Sequence, residues 1–358
     1  MIVRCFVLFC SIVFFASSFT AYAQNNNRVV VIPLFGETTS GDISNVVTVA
    51  AQGGDFTSPI SAMNSITNAT EENPYLIVIA PGTYEINQTL EVKPHVSITG
   101  SGQSITTIRQ VNPTVTTSLR LLDTSNSNAI VKPHLSNFHI EARSGGANCI
   151  ALDTQFANVL LTNLQLTATS CSGLNIGIDL FSGSIERVDN VTIFVSGGIV
   201  TNGIRSSLDA FTELTNVNIF AGGATQGNFG VISGFSKIDV RNSEITVRTD
   251  SGNAFGIYYT FQNFQLQNEP IAEIVNTKIV ASSLSGNAIS NAVRLSDGAS
   301  VIVRRSSLNG ASESIAGGVD SSTIVSASTL IGDVISGGDV SCVSSDNGNG
   351  VELSPSCD

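Results

Sequence analysis

Apolar and polar residues alternate along most of this chain, and the alternation recurs in a repeated phrase. The phrase is a small polar residue, usually Asn, followed by apolar residues two positions apart, as in Asn163-Leu-Gln-Leu166. It begins seven times at intervals of 26 to 34 residues, at Asn137, Asn163, Asn190, Asn216, Asn242, Asn276 and Arg305. Short alternating segments at a nearly fixed period indicate a solenoid whose coils tolerate insertions.

A second alternating phrase accompanies the first, as in Cys149-Ile-Ala-Leu-Asp153 and Gly256-Ile-Tyr-Tyr-Thr260. Turn-forming residues separate the phrases, so each coil contains at least two short strands. Such coils bury their apolar face only by stacking on one another. We therefore predict an all-β chain, a right-handed parallel β-helix with about 26 residues per coil. The recurring Asn suits a left-handed turn, in which stacked side-chain amides can bond one another.

The N-terminal end of the solenoid needs a cap, and residues 57–70 contain the one plausible helix. Ile60, Met63 and Ile66 lie nearly on one face of it, and Pro59 marks its start. We expect four segments: a signal peptide at 1–23, a strand and linker at 24–46, the β-helix domain at 47–336, and a disulfide-bonded C-terminal tail at 337–358.

The first 23 residues have the features of a secretory signal. Arg4 precedes an apolar stretch, and Ala21-Tyr-Ala23 forms a small-residue cleavage site. No later apolar run is long enough to span a bilayer, so we expect a secreted protein, periplasmic or extracellular, without a membrane span. Export also favours disulfides over buried free thiols for the remaining cysteines. Three pairings are possible, and spacing favours Cys149 with Cys171 and Cys342 with Cys357.

Composition narrows the choice of partner. There are 16 basic against 28 acidic residues and no basic stretch, which argues against nucleic acid and anionic membranes. A surface of hydroxyls and amides suits hydrogen bonding to sugars, although an inert solenoid has the same surface. The absence of Trp and the small number of Tyr residues weaken the carbohydrate interpretation.

The N-terminal region resembles the pectin methylesterases of the pectin lyase-like superfamily, because six blocks occur in their order and spacing. The blocks are Val47-Thr-Val-Ala50, Gly54-Asp-Phe56, Ile60-Ser-Ala-Met-Asn-Ser65, Tyr75-Leu-Ile-Val-Ile79, Pro81-Gly-Thr-Tyr-Glu85 and Ile98-Thr-Gly-Ser-Gly102. The resemblance implies a secreted right-handed parallel β-helix with three sheets, in a superfamily dominated by polysaccharide-active enzymes. Along its whole length the chain also resembles exported bacterial repeat proteins with two C-terminal cysteines.

The esterase chemistry does not follow from this resemblance. The family's catalytic motifs are Gln-Asp-Thr-Leu, Asp-Phe-Ile-Phe-Gly and Leu-Gly-Arg-Pro-Trp, and none of them occurs in this chain. The matching blocks belong to the scaffold, and a shared fold does not transfer an activity.

The second phrase supplies a different candidate site. Aligned coil by coil, it gives one outward column of Ala151, Asp179, Arg205, Ile232, Tyr258, Arg294 and Asp320, with Asp153 in the neighbouring column. Asp153, Asp179 and Arg205 are then expected on adjacent rungs of one outer face. Neighbouring carboxylates can form an acid/base pair or bind Ca²⁺ that faces a uronate, and the Arg can hold a carboxylate or abstract a proton. The alternative is an ordinary surface ion pair.

These observations favour an exported, non-catalytic or weakly catalytic β-helix that binds polysaccharide or cell-surface glycan through its long face. No cofactor is evident. One alternative is a polysaccharide-active enzyme, lyase-like or esterase-like, for which Ca²⁺ is a possible cofactor. The other alternative is a structural or adhesive spacer.

Overall fold

A computed structural model of the chain describes residues 45–122, 133–181, 185–208, 210–260 and 271–357. The expected signal peptide and nearly all of the expected linker lie outside these residues. Within them the chain forms one short helix and thirty strands, β1 to β30 in chain order. The strands stack in three long ladders, and all pairings between them are parallel.

Each coil contributes one strand to each of three sheets. The first sheet consists of β1 (Asn45–Val49), β2 (Tyr75–Ile79), β5 (Val96–Thr99), β8 (His134–Ser136), β11 (Asn158–Thr162), β14 (Ile185–Asp189), β17 (Phe211–Thr215), β20 (Lys237–Arg241), β23 (Ala272–Val275), β26 (Ser300–Arg304), β28 (Ser322–Ser326) and β30 (Asp339–Val343).

The second sheet follows the Asn turn of each coil. It consists of β3 (Gly82–Ile86), β6 (Thr106–Gln110), β9 (His139–Ala142), β12 (Gln165–Thr169), β15 (Thr192–Ser196), β18 (Asn218–Gly222), β21 (Glu244–Thr249), β24 (Lys278–Ser283) and the first parts of β27 (Ser307–Gly317) and β29 (Thr329–Ser336).

The third sheet contains the second phrase. It consists of β4 (Leu90–Val92), β7 (Thr117–Leu122), β10 (Asn148–Gln155), β13 (Leu174–Phe181), β16 (Val200–Ser207), β19 (Gly227–Gly234), β22 (Asn253–Thr260), β25 (Ser290–Leu295) and the later parts of β27 and β29. Because β27 and β29 run through both ladders, they join the second and third sheets.

The coil makes about ten turns of about 26 residues each. Parallel strands joined by crossovers are right-handed almost without exception. The predicted all-β, right-handed parallel β-helix is therefore confirmed.

Columns of aliphatic side chains fill the interior, as the alternation predicts. In the first sheet one inward column is fully buried and runs through eight successive strands: Leu135, Leu161, Val188, Leu214, Val240, Ile274, Val303 and Val325. Equivalent columns line the second and third sheets. Burial of this apolar surface is the main force that holds one coil on the next.

The repeated Asn lies in the turn between the first and second sheets. All six Asn residues of the phrase, and Arg305, have positive φ angles between 49° and 62°. The side-chain amides also bond up the column, from Asn163 Nδ2 to Asn137 Oδ1 (3.2 Å) and from Asn190 Nδ2 to Asn163 Oδ1 (2.6 Å). The predicted amide ladder is confirmed over these turns. It is interrupted at Asn216, which donates to Asp189 instead (2.9 Å).

The N-terminal helix, α1, is shorter than predicted. It spans Pro59–Ser65 rather than residues 57–70, because Ile66 already has extended backbone angles. Ala62 and Met63 are fully buried against the first coils, so the predicted cap is present. No helix among the described residues is long and apolar enough to cross a membrane.

Both expected disulfides form, between Cys149 and Cys171 and between Cys342 and Cys357. The second lies in the segment expected to be an irregular tail. That segment is not wholly irregular, because β30 pairs in parallel with β28 and extends the first sheet to Val343.

Candidate functional site

One column of side chains runs along the outer face of the third sheet. Its members are paired in register from strand to strand: Glu91, Arg120, Asp153, Asp179, Arg205, Ile232, Tyr258 and Arg294. We call this set the outer column. Seven strand spacings separate its ends, which corresponds to about 34 Å.

The three predicted site residues are consecutive members of this column. The alignment of the sequence repeats was wrong at both ends of the column. At the C-terminal end it placed Asp320 opposite Arg294, whose partner is Ala316. At the N-terminal end it was wrong by two residues, because it placed Ala151 opposite Asp179. In the structure Asp153 is the partner of Asp179, and Ala151 falls level with Gly177. A slip of two residues preserves the alternation of inward and outward positions, so periodicity alone cannot detect it.

An arginine accompanies each of the two aspartates. Arg120 Nε donates to Asp153 Oδ2 at 2.8 Å, and Gln155 Nε2 donates to the same oxygen at 3.3 Å. Arg205 donates to both oxygens of Asp179, from Nε at 2.8 Å and from a terminal nitrogen at 2.5 Å. The residue exposures of Asp153 and Asp179 are only 5% and 7%. The side chains of Arg120 and Arg205 remain 34% and 38% exposed, so the arginines cover the aspartates and face solvent themselves.

Ion pairing and burial shift the pKa values of two groups in the outer column. The hydrogen bonds to Asp179 raise the pKa of the Arg205 guanidinium above its ordinary value. Burial raises the pKa of the Glu91 carboxyl, and the nearby Arg120 partly opposes this shift. Arg120 and Glu91 were not among the predicted site residues, because both precede the first copy of the repeated phrase.

Beyond Arg205 the outer face becomes aromatic. Phe229 and Phe255 stack with ring centroids 5.1 Å apart, and the Tyr258 ring lies 5.5 Å from Phe255. The Arg294 guanidinium lies 5.4 Å from the Phe255 centroid and 5.5 Å from that of Tyr258. We call Phe229, Phe255 and Tyr258 the aromatic stack. The sequence analysis missed it, although Phe occurs before Gly at the same point of two successive coils.

A pocket of about 290 Å³ lies at the end of the aromatic stack. We call it the end pocket, and its polar lining side chains are Tyr258, Asn291, Arg294, Ser296, Asp297 and Glu313. Asn291 is fully buried, and neither its oxygen nor its nitrogen has a hydrogen-bond partner among the residues that the structure describes. This pocket therefore combines an aromatic ring, a guanidinium, an amide and two carboxylates.

The second sheet has polar and aromatic features of its own. Phe194 and Phe220 stack at 5.0 Å beside a shallow groove of about 570 Å³. Nearer the N-terminus, Glu141 accepts from Arg109 Nε at 2.5 Å and from Arg143 at 3.0 Å. Burial raises the pKa of the Glu141 carboxyl, but these hydrogen bonds outweigh burial and hold its pKa below the ordinary value.

Metal ligands are not clustered in the part of the chain that the structure describes. No group of three or more His, Cys, Asp or Glu side chains in those residues is arranged to hold an ion. The two aspartates of the outer column are engaged with arginines rather than with each other.

The three parallel sheets define a right-handed parallel β-helix. No family model matches the chain, and no curated protein matches it significantly. Among solved structures it is similar to the pectin methylesterase of Aspergillus niger, with 14% identity over 90% of this chain and 94% of that one and a TM-score of 0.47.

Two further solved structures are similar over most of the chain. The pectin methylesterase of Erwinia chrysanthemi is 11% identical over 89% of this chain and 92% of that one, with a TM-score of 0.43. The catalytic domain of a GH87 α-1,3-glucanase is 9% identical over 87% and 66%, with a TM-score of 0.48. The fold described above rests on strand pairing and does not depend on these similarities.

Proposed function

We propose that this chain is an exported protein that binds polysaccharide along the outer face of its third sheet. The observation that supports this function is the outer column together with the aromatic stack. Over about 34 Å it presents charged hydrogen-bonding groups and then flat rings, all on one face. Only an extended ligand spans that length.

The groups on this face match the chemistry of sugars. Guanidinium groups donate and carboxylates accept, so hydroxyls can bond to either. Tyr258 combines an apolar ring with a polar hydroxyl, a combination that is favoured where a ligand has both kinds of surface. The chain has no Trp, but the aromatic stack brings three Phe and Tyr rings together on this face, and such rings can serve as a platform for a sugar.

Export is part of the proposal. Its support is the pair of disulfides, which form and persist in oxidising compartments. The signal segment at residues 1–23 lies outside the described residues. Its cleavage after Ala23 would appear as an N-terminus at Gln24 in protein recovered from the secreting cell.

A second candidate function is a polysaccharide-active enzyme that uses Asp153, Asp179 and Arg205. The observation that favours it is the register, which places two buried carboxylates on adjacent strands. Calcium is a possible cofactor of this alternative alone. The ion pairs with Arg120 and Arg205 are equally typical of a structural arrangement.

One set of assays separates these functions. The purified protein is incubated with polygalacturonate, methylated pectin and alginate, with and without Ca²⁺, and unsaturated products and released acid are measured. The same protein is applied to a glycan array. Binding without products supports the proposed function. Products that disappear in Asp179→Asn support the enzyme. The absence of both products and glycan binding supports a spacer.

A further inference from the structure

The end pocket differs from the rest of the outer face because it is concave. It lies between the strands of Tyr258 and Arg294 and the region where β27 and β29 join the second and third sheets. Its volume of about 290 Å³ is at the small end of the range for ligand sites. This size suits a single ring rather than a length of polymer.

Asn291 provides the first argument that the pocket has a ligand. Its side chain stands in register between Phe255 and Glu313 on the outer face, yet its exposed fraction is 0%. Both polar atoms of the amide are without a partner among the described residues. Buried polar groups are nearly always paired, so an orphaned amide that lines a pocket indicates an absent partner. An amide offers that partner one acceptor and one kind of donor.

Arg294 provides the second argument. Its guanidinium rests against the Phe255 and Tyr258 rings, and no carboxylate among the described residues lies within ion-pair distance of it. The other arginines of the outer column, Arg120 and Arg205, are both paired. Arg294 is thus held in place by the rings while its hydrogen-bond donors stay available.

Charge decides which kind of sugar fits. The lining contains one guanidinium, from Arg294, and two carboxylates, from Asp297 and Glu313. The whole chain has a net charge of −12. A uronate would bring a third carboxylate into this space, whereas the hydroxyls of a neutral sugar can donate to the carboxylates and accept from Arg294 and Asn291.

We infer that the end pocket binds one neutral sugar residue of the polysaccharide, with its ring against Tyr258 and its hydroxyls on Asn291, Arg294 and Glu313. This inference rests on the proposed function and adds the class of sugar and the residues that recognise it. It also predicts a preference for uncharged over uronate-bearing glycans.

The test compares matched ligands and matched variants. Fully methyl-esterified and unesterified oligogalacturonides share a backbone and differ in charge, and neutral gluco-, xylo- and manno-oligosaccharides extend the comparison. Affinities are measured by titration for the wild type and for Asn291→Leu, Arg294→Met and Thr212→Val. Thr212 is the control, because its buried hydroxyl is also unpartnered but faces the interior from the first sheet.

We expect the wild type to bind a neutral ligand at least tenfold more tightly than its uronate counterpart. Asn291→Leu and Arg294→Met should each weaken that binding at least tenfold, and Thr212→Val should leave it unchanged. Asn291→Leu should melt at the same temperature as the wild type or higher, because it removes no internal hydrogen bond. A loss of binding with an intact fold then separates recognition from stability.

Two kinds of failure are distinguishable. A wild type that binds no glycan on the array overturns the proposed function together with this inference. A wild type that binds, but prefers the uronate or is indifferent to Asn291→Leu and Arg294→Met, overturns the inference and leaves polysaccharide binding in place.

Discussion

Three of the four buried carboxylates among the described residues are matched by guanidinium groups, and the fourth, Asp239, is paired with Lys237. Asp153, Asp179 and Glu141 are each less than a tenth exposed, and each accepts from at least one Arg nitrogen at 2.8 Å or less. A buried charge without a partner is costly, so breaking such a pair destabilises more than the pair itself stabilises. These three carboxylates therefore have a structural role in the fold.

Glu141→Gln should lower the free energy of unfolding by about 2 kcal/mol at neutral pH, because hydrogen bonds to a charged acceptor are lost. The pKa of Glu141 is lower in the folded chain than its ordinary value of 4.5. Its contribution is therefore complete above that value and is lost as the pH falls through the folded-state pKa. Denaturant titrations from pH 7 down to acid should show the wild type and the variant converging.

Glu85→Gln is the matched control for this prediction. Glu85 stands in register with Arg109 on the same column, but its side chain is 62% exposed and 3.9 Å from the arginine. Exposed pairs contribute little, so this variant should differ from the wild type by less than about 0.5 kcal/mol. Equal losses in the two variants, or a loss in Glu141→Gln that does not change with pH, would contradict the account.

At the scale of the strand, a column of small residues sets how closely the third sheet approaches the second. Its members occupy the same position in six successive coils: Ala151, Gly177, Gly203, Gly230, Gly256 and Ala292. A Cβ added at Gly230 would lie 2.3 Å from Ile245 Cγ2 and 2.6 Å from the Gly256 carbonyl oxygen. The glycines therefore provide space rather than flexibility.

Gly230→Ala should destabilise the fold by about 3 kcal/mol, since a well-packed neighbour must move. The control, Gly234→Ala, lies in the same strand, where the new Cβ would meet the Thr260 hydroxyl at 3.2 Å and the Ser206 carbonyl oxygen at an ordinary contact distance of 3.8 Å. We expect less than about 1 kcal/mol for the control. Thermal and denaturant unfolding of the two variants measures the difference, and equal stabilities would disprove the packing role.

The strands were predictable from the sequence because their period is fixed by geometry. Alternation identified the strands of the second and third sheets, and the recurring Asn identified the turn. The register of the third sheet was not fully predictable, because alternation cannot distinguish Ala151 from Asp153 as the partner of Asp179. The strands of the first sheet have no recurring phrase of their own, so a third strand in every coil was expected only from the family resemblance, which implies three sheets.

The end pocket could not be predicted from the sequence, for a different reason. Tyr258 and Arg294 appear as neighbours when the second phrase is aligned, but Glu313 belongs to β27, where the coil shortens and the two sheets merge. Nothing in the local sequence around Asn291 distinguishes it from a turn residue. Asn291 stands out because its side-chain amide is buried without a hydrogen-bond partner among the described residues, and this is visible only in the structure.

On the scale of the molecule, each coil contacts chiefly the coils on either side of it. Stability in such a solenoid is a sum over coils and their interfaces, so the ends are its weakest points. Helix α1 covers the N-terminal coils, and the Cys342–Cys357 bond secures the last strand. The inward column of the first sheet ends on Cys342, which stands in register with Val325.

Replacing both Cys342 and Cys357 with Ser should destabilise the last strand, β30, while leaving the middle coils intact. A cross-link that closes a loop of 15 residues contributes about 3 kcal/mol in the chain-entropy description. Hydrogen exchange should accelerate in β30 and remain unchanged in β17. Equal acceleration in both strands would show that the coils unfold as one unit, contrary to the expectation for a solenoid.

The proposed function places the glycan on the outer face of the third sheet. Hydrogen exchange, measured with and without a saturating oligosaccharide chosen from the array, locates the bound ligand. We expect slower exchange in β16, β19, β22 and β25, strongest at the end pocket, with no change in the first sheet. Protection confined to the second sheet around Phe194 and Phe220, or protection nowhere in a complex that demonstrably forms, would contradict this expectation.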